Sequence, residues 1–239
     1  MLENKVAAVT GATGALGRVV VKALLEKGAE TVVLYRSDAK LAELLEFVGK
    51  DFKDKITAVK GDVNDVGSVK DFVKKAVDKH GRVDFLLNIA GAWAGGKDVA
   101  NTDEQTWDFM MNTNLKSMFL CCWAALPFMI KQNYGRIVSV ASRAAVEKRW
   151  RAKSAAYAVS KAGVVVLTEA IAEEVKDYNI NVNCVLPSTI DTAANRRDFP
   201  KADFSKWVKP EDIAEVMVFL LSDASGIISG AAVPVYGKA

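Results

Sequence analysis

Short apolar runs alternate along the chain with longer stretches in helical period. Residues 6–10, 31–35, 56–60, 83–89, 136–141, 181–186 and 232–236 are brief, rich in Val, Ile and Leu, and mostly apolar at consecutive positions. That pattern predicts strands covered on both faces, because a half-buried strand shows every second side chain to water. Between them, residues 16–27, 39–48, 66–79, 104–131, 154–177 and 210–222 carry helix-like spacing. Gly28, Gly49, Gly81 and Gly135 fall where those helices should stop. Strand–helix alternation repeated this often means right-handed crossovers and a parallel sheet. The expected fold is therefore α/β, a doubly wound parallel sheet with helices on both faces. No repeat, low-complexity tract or Pro/Ser-rich linker interrupts it, and 1–239 reads as one domain.

Composition narrows the function classes. With 51% hydrophobic and 26% charged residues in 239, the chain is of ordinary globular type. Its 32 basic and 29 acidic residues leave a net charge of only +3, too little to mark a nucleic-acid binder. The longest uncharged apolar run, 118–130, contains Pro127 and falls short of the roughly 20 residues a bilayer span needs, so no membrane segment is expected. The first residues lack the charged-then-apolar layout of a secretion signal. Cys121, Cys122 and Cys184 form no C-x-x-C pair, and buried, reduced thiols in a cytoplasmic protein are expected. His80 has no matching ligands, so neither a metal site nor a Ser-His-Asp hydrolase is expected.

Directly after the first strand comes Thr10-Gly11-Ala12-Thr13-Gly14-Ala15-Leu16-Gly17, leading into a helix. A glycine turn in this place lets the chain leave the strand sharply, lets backbone approach a pyrophosphate, and aims free helix N–H groups at it. A Walker loop does not fit, since Gly17-Arg18-Val19 lacks the Lys-Ser/Thr ending. The second strand ends Leu34-Tyr35-Arg36-Ser37. An acid there would bind both ribose hydroxyls and repel a 2′-phosphate, whereas an arginine welcomes that phosphate. Arg36 favours NADP(H); NAD(H) stays possible, because Asp38 could reach the ribose and Arg36 could be a solvated charge. After the third strand, Asp62-Val63 can offer a carboxylate to an adenine amino group, or Asp62 can cap a helix.

Tyr157-Ala158-Val159-Ser160-Lys161 places a phenol and an ammonium on one helix face. A nearby cation favours the phenolate, and lowering a tyrosine by about three pKa units takes roughly 4 kcal/mol. Lys161 and an oxidised nicotinamide are the cations expected to do so. Ser142 sits at the C-terminal end of a strand, where ligands bind in such sheets, and its hydroxyl can hold a carbonyl oxygen. Asn114 lies within the long helical segment, where its buried amide must be satisfied; a water bridge to Lys161 would give a proton path, and a helix kink is the plainer alternative.

Taken together, these residues resemble the short-chain dehydrogenase/reductase family over nearly the whole chain. The matching motifs are the Thr10–Gly17 turn, Asp62-Val63, Asn88-Ile89-Ala90-Gly91, Asn114, Ser142, Tyr157-x-x-x-Lys161 and Pro187-Ser188-Thr189-Ile190-Asp191-Thr192. The resemblance implies a seven-stranded Rossmann sheet, a homotetramer or homodimer built through the two long helices, and hydride transfer between a nicotinamide and a small-molecule carbonyl or alcohol. It makes Tyr157 the acid/base and Lys161 its modulator and a nicotinamide-ribose ligand. Ser142 becomes the carbonyl holder, and Asn114 completes the proton relay. Thr10, Gly11, Gly14, Ala15, Leu16 and Gly17 would hold the pyrophosphate. Asn88, Ala90 and Gly91 would pack beside the cofactor, with Pro187, Thr189 and Thr192 at its nicotinamide end. Ala15 stands where the commoner pattern has its middle glycine, Ser188 where a glycine usually follows the proline, and the interval from Ser142 to Tyr157 is longer than usual.

Residues 91–96, together with 186–196 and 202–207, are similar to segments of quinonoid dihydropteridine reductases. That group lacks the catalytic serine and carries an acid after the second strand, whereas this chain has Ser142, Tyr35 and Arg36. Residues 143–153 hold five basic side chains against Glu147, and 196–209 hold five against Asp198 and Asp203. Both should flank the mouth of the site, the second as part of a substrate lid over 188–209. They point to an anionic substrate such as a 3-oxoacyl thioester, or are simply solvated loops. Trp93, Trp150 and Trp207 could wall a flat ring or pack internally. The expected activity is an NADP(H)-preferring carbonyl reductase or alcohol dehydrogenase. The rivals are a dihydropteridine-reductase-like enzyme and a non-catalytic nicotinamide-binding regulator.

Overall fold

The computed structural model describes residues 2–238. Seven strands, β1 Val6–Thr10, β2 Glu30–Tyr35, β3 Ile56–Lys60, β4 Phe85–Asn88, β5 Gly135–Val140, β6 Ile180–Pro187 and β7 Ala232–Val235, form one sheet in the order β3-β2-β1-β4-β5-β6-β7. Every pairing is parallel, with Ala8 opposite Val32 on one side and Leu86 on the other. The consecutive apolar positions have a direct cause. Val6, Ala8, Val32, Leu34 and Leu86 face one buried layer, while Ala7, Val9, Val33, Phe85 and Leu87 face the other. Each successive side chain therefore finds a core, and none needs to be polar.

Helices α1 Ala15–Glu26, α2 Asp38–Val48 and α8 Pro210–Leu221 cover the second layer; α3 Val66–His80, α5 Ser117–Gln132 and α6 Ala155–Glu174 cover the first. Local chemistry sets their ends. Ser37 and Asp65 cap α2 and α3 by accepting the N–H groups of Lys40 and Ser68, and Gly81 ends α3 in the left-handed region. The stop expected at Gly135 comes earlier, because Asn133 adopts the left-handed cap itself at φ 49° and Gly135 begins β5.

The single helix expected over 104–131 is interrupted. It runs as α4 Glu104–Met110, a π-helical turn Met111–Lys116, and α5. The short α7 Ala193–Asp198, within the lid segment, was not expected; Thr192 caps it by accepting the Asn195 N–H at 3.1 Å. Two helical stretches, Glu104–Gln132 and Ala155–Glu174, are long and apolar enough to cross a membrane, yet 44% of each apolar window is buried inside the fold. They are core helices. All three cysteines are free and buried, as expected. Burial pushes their thiols up, Cys122 to about 12 and Cys184 to about 11. None is a thiolate at neutral pH.

Candidate active site

From β1 the chain moves outward to β2 and β3, then returns to the other side of β1 as β4. This reversal opens a crevice above the C-terminal strand ends, with a volume of about 1010 Å³. Gly11, Gly14, Ala15, Leu16 and Gly17 line one end of it. The glycines are demanded by contact. A Cβ on Gly17 would lie 2.0 Å from the Gly11 carbonyl oxygen, and one on Gly11, at φ +67°, only 2.6 Å from the Ala90 nitrogen. Helix α1 begins at Gly14 with no side-chain cap and no acid in its first turn. Its first N–H groups and positive dipole end have no side-chain cap among the described residues, which suits a dinucleotide pyrophosphate. Thr10 lies behind this wall, its hydroxyl donating to Leu87 O and accepting from Ala90 N, both at 3.4 Å.

At the β2–β3 end of the crevice the two charges expected to have separate tasks meet each other. Arg36 Nη1 lies 3.6 Å from Asp62 Oδ2. Arg36 lines the crevice, together with Ser37 and Lys40. Asp62 does not, and its other oxygen accepts the Asn64 N–H at 2.9 Å; Val63 and Asn64 form the wall instead. Asp38 is also turned away, held by Lys60 at 2.5 Å, which keeps its carboxyl below the usual range. Lys40, missed in the sequence, stands in the first turn of α2 with its ammonium on Glu43 at 2.8 Å.

Ser142, Tyr157 and Lys161 all line the crevice. Ser142 follows β5 and accepts the Ala144 N–H at 3.3 Å. The Ser142 hydroxyl and the Tyr157 phenol share this wall. Burial raises the Tyr157 pKa, and the neighbouring Ser142 hydroxyl pulls the other way. The depression expected from Lys161 is thus not what the protein alone produces. Lys161 is 5% exposed and donates to the Val140 carbonyl at 2.7 Å, and burial lowers its pKa to about 8.

That value carries a stability consequence. A lysine that binds its proton more weakly folded than unfolded costs stability below its folded pKa and returns it as pH rises from about 8 towards 10.5. The cost is about 3 kcal/mol at neutral pH. In the cofactor-free protein, Lys161→Met is expected to raise stability at pH 7 by about 2 kcal/mol, after about 1 kcal/mol is lost with the Val140 bond. It should also remove the stability gain between pH 7 and 9.5. Urea denaturation at both pH values checks this; a wild-type curve as flat as the variant's would refute it.

Asn114 lies on the π-helical turn and is 2% exposed. Its Oδ1 accepts from Ala92 N at 2.8 Å, while its Nδ2 donates to Ala92 O at 3.1 Å and to Ser160 Oγ at 3.0 Å. Ala92 and Ser160 therefore hold the amide directly. Asn114 and Lys161 meet across Gly91, where a Cβ would sit 3.0 Å from Asn114 Oδ1 and 3.2 Å from Lys161 Nζ. Ala90 and Gly91 line the crevice, but Asn88 points beneath it, donating to Ser139 Oγ at 3.1 Å. Pro187, Thr189 and Thr192 line the far end.

The basic segments divide in the same way. Arg143, Arg149 and Lys153 line the crevice, with Trp93, Trp150 and Phe199. Arg151 is absorbed by the Ala144 and Ala145 carbonyls. Arg196 is taken up by Asp191, and Trp207 packs on Phe204.

A sequence model described as short chain dehydrogenase matches residues 5–203. The chain is 34% identical to BbsD of Thauera aromatica, a subunit of (2S)-((R)-hydroxy(phenyl)methyl)succinyl-CoA dehydrogenase, over 99% of this chain and 96% of that one. It is 32% identical to the 3-oxoacyl-(acyl-carrier-protein) reductase FabG of Thermotoga maritima, over 99% and 98%. Among solved structures, levodione reductase superposes with a TM-score of 0.92 at 25% identity, covering 99% of this chain and 98% of that one. The gox2181 structure superposes with a TM-score of 0.91 at 30% identity, covering 98% and 95%. With its parallel sheet, glycine turn and tyrosine–lysine helix, the chain belongs to the short-chain dehydrogenase family, nicotinamide-dependent oxidoreductases acting on carbonyl and hydroxyl groups.

Proposed function

We propose that the protein is an NADP(H)-preferring carbonyl reductase whose substrates are anionic, in the manner of a 3-oxoacyl thioester. The observation that carries this is the convergence of Ser142 and Tyr157 on one crevice, with buried Lys161 one helical turn along. A bound nicotinamide would supply the hydride. Ser142 holds the substrate carbonyl oxygen, and Tyr157 gives that oxygen its proton as the carbonyl becomes an alcohol. A phenol kept above its ordinary pKa is protonated at neutral pH, which suits the reductive direction. Lys161 stabilises the resulting phenolate and binds the ribose. Asn114 acts as a positioning residue, fixing Ala92 and the Gly91 wall against Lys161. Gly11, Gly14, Ala15, Leu16 and Gly17 cradle the pyrophosphate, with Thr10 bracing them. Val63, Ala90, Gly91, Pro187, Thr189 and Thr192 complete the cofactor wall, and 188–209 covers the substrate.

Arg36, Ser37 and Lys40 support the NADP(H) preference, since among the described residues this end of the crevice is lined by two cations, Lys40 paired with Glu43, and by no carboxylate. The Arg36–Asp62 pair does not oppose it. Arg36 is 76% exposed there, and such a pair is weak enough to yield to a 2′-phosphate. Arg36→Glu is expected to lower the NADPH/NADH ratio of kcat/KM by about 10- to 100-fold, through loss of a charge-assisted bond and added repulsion. Initial rates with both cofactors on a 3-oxoacyl thioester test the activity and the preference together. An unchanged ratio would remove Arg36 from cofactor selection.

The exposed aromatic side chains of α4 and α5, Trp107, Phe109, Phe119 and Trp123, with Val159 and Val166 of α6, support assembly into a homodimer or homotetramer. Free, buried thiols suit a reducing cytoplasm. Light scattering showing only a 25.8 kDa species would remove the oligomer.

A further inference from the structure

Three exposed aromatic side chains come from three different loops yet line one crevice. Trp93, Trp150 and Phe199 are 58%, 41% and 48% exposed. Their positions are built. The Trp93 ring lies against Gly95, where a Cβ would stand 2.7 Å from it, and the next residue, Gly96, donates its N–H to the Lys153 carbonyl at 2.7 Å. The loop bearing Trp93 and the enlarged loop bearing Trp150 are thereby tied together.

The charges of the enlarged loop are sorted. Arg151 binds backbone carbonyls and supports the loop itself. Arg143 is 7% exposed, reaches Glu147 at 2.8 Å and lies 4.4 Å over the Tyr236 ring and 5.4 Å over the Trp150 ring. Arg149 differs. Its side chain is 64% exposed, it lies 5.6 Å over the Trp150 ring, and among the described residues its one ionic partner is Glu147, met through Nε at 3.2 Å. Glu147 is shared with Arg143, so it holds Arg149 by one edge without matching its charge. Lys153 has no ionic partner among the described residues and lines the same wall.

We propose that Arg149 and Trp150, with Trp93 and Phe199 as further aromatic surfaces, form a distal subsite that selects substrates in which a flat ring carries an anionic group. This rests on the reductase reading of the same crevice. With the reacting carbonyl at Ser142 and Tyr157, the ring lies against an indole face and the anion meets the Nη edge of Arg149. A planar fork beside a π-surface is suited to an aromatic carboxylate. Glu147 is the positioning residue, and Lys153 adds long-range charge.

Three aldehydes separate the contributions: 4-formylbenzoate, its neutral methyl ester, and the non-planar anion trans-4-formylcyclohexanecarboxylate. Dissociation constants measured by calorimetry on the enzyme–NADP+ complex test the subsite. Reduction rates with NADPH, measured separately, test the reductase reading, so the two can fail independently. The wild type is expected to bind 4-formylbenzoate at least about tenfold more tightly than the ester and about threefold more tightly than the cyclohexane acid. Arg149→Gln should abolish the first preference and leave ester binding unchanged, Arg149→Lys should retain part of it, and Trp150→Ala should abolish the second. Equal binding of acid and ester by the wild type, or a preference that survives Arg149→Gln, would overturn the proposal.

Discussion

Tyr157→Phe is expected to lower kcat by about a thousandfold while leaving the dissociation constant for NADPH within about twofold of wild type. In the proposed mechanism the phenol gives its proton to the carbonyl oxygen, and a positioned general acid contributes about 10²- to 10⁴-fold. Removing one oxygen atom leaves the ring, its packing and the Lys161–Val140 bond in place, so the loss should fall on kcat and not on binding. Stopped-flow hydride transfer and a fluorescence titration with NADPH measure the two separately. A regulator that merely senses the cofactor would be indifferent to the change. Retention of more than about a tenth of the wild-type rate would give the proton to another group.

Gly17→Ala is the second large effect, and it acts on the cradle. The new methyl group would need to occupy a point 2.0 Å from the Gly11 carbonyl oxygen, which is backbone and has no rotamer to yield. Helix α1 must move away from the turn, or the turn must deform. Gly11 cannot retreat easily either, since it already touches Ala90. Overpacking of this kind costs about 1–3 kcal/mol. The displacement would also carry the first N–H groups of α1 away from the proposed pyrophosphate position. Thermal unfolding should show the destabilisation, and calorimetry a loss of NADPH affinity of at least about tenfold. An alanine variant that binds NADPH as tightly as wild type would mean the helix N-terminus does not hold the pyrophosphate.

Much of this was legible in the sequence because the signals are local. A strand with core on both sides writes itself as consecutive apolar residues, and Thr10–Gly17 and Tyr157–Lys161 each act over one turn. What stayed hidden depends on partners far along the chain. Arg36 and Asp62 read as separate ligands, because nothing local says that adjacent parallel strands end at the same level and bring the two together. That the Asn114 amide is held by Ala92, 22 positions earlier, has no local signal either. The π-helical turn that aims it leaves no mark in an apolar pattern that runs smoothly through it. Asn88 sits in a motif whose next residues line the crevice, but strand alternation turns its side chain below the floor. Arg151 and Arg149 look alike in the sequence. Only the carbonyls of Ala144 and Ala145 separate a structural guanidinium from one offered to the crevice.

The side chains proposed for chemistry sit on strand ends and on the long helix α6, whereas those facing the far side of the substrate sit on three loops that can lengthen or change without disturbing the sheet. Reactivity and selectivity are therefore separable by engineering. Transplanting residues 143–153, together with the Trp93 loop to which they are tied, into another scaffold of this family should transfer a taste for particular molecules while leaving the recipient's proton and hydride machinery intact. Retooling this protein should begin at the same two loops.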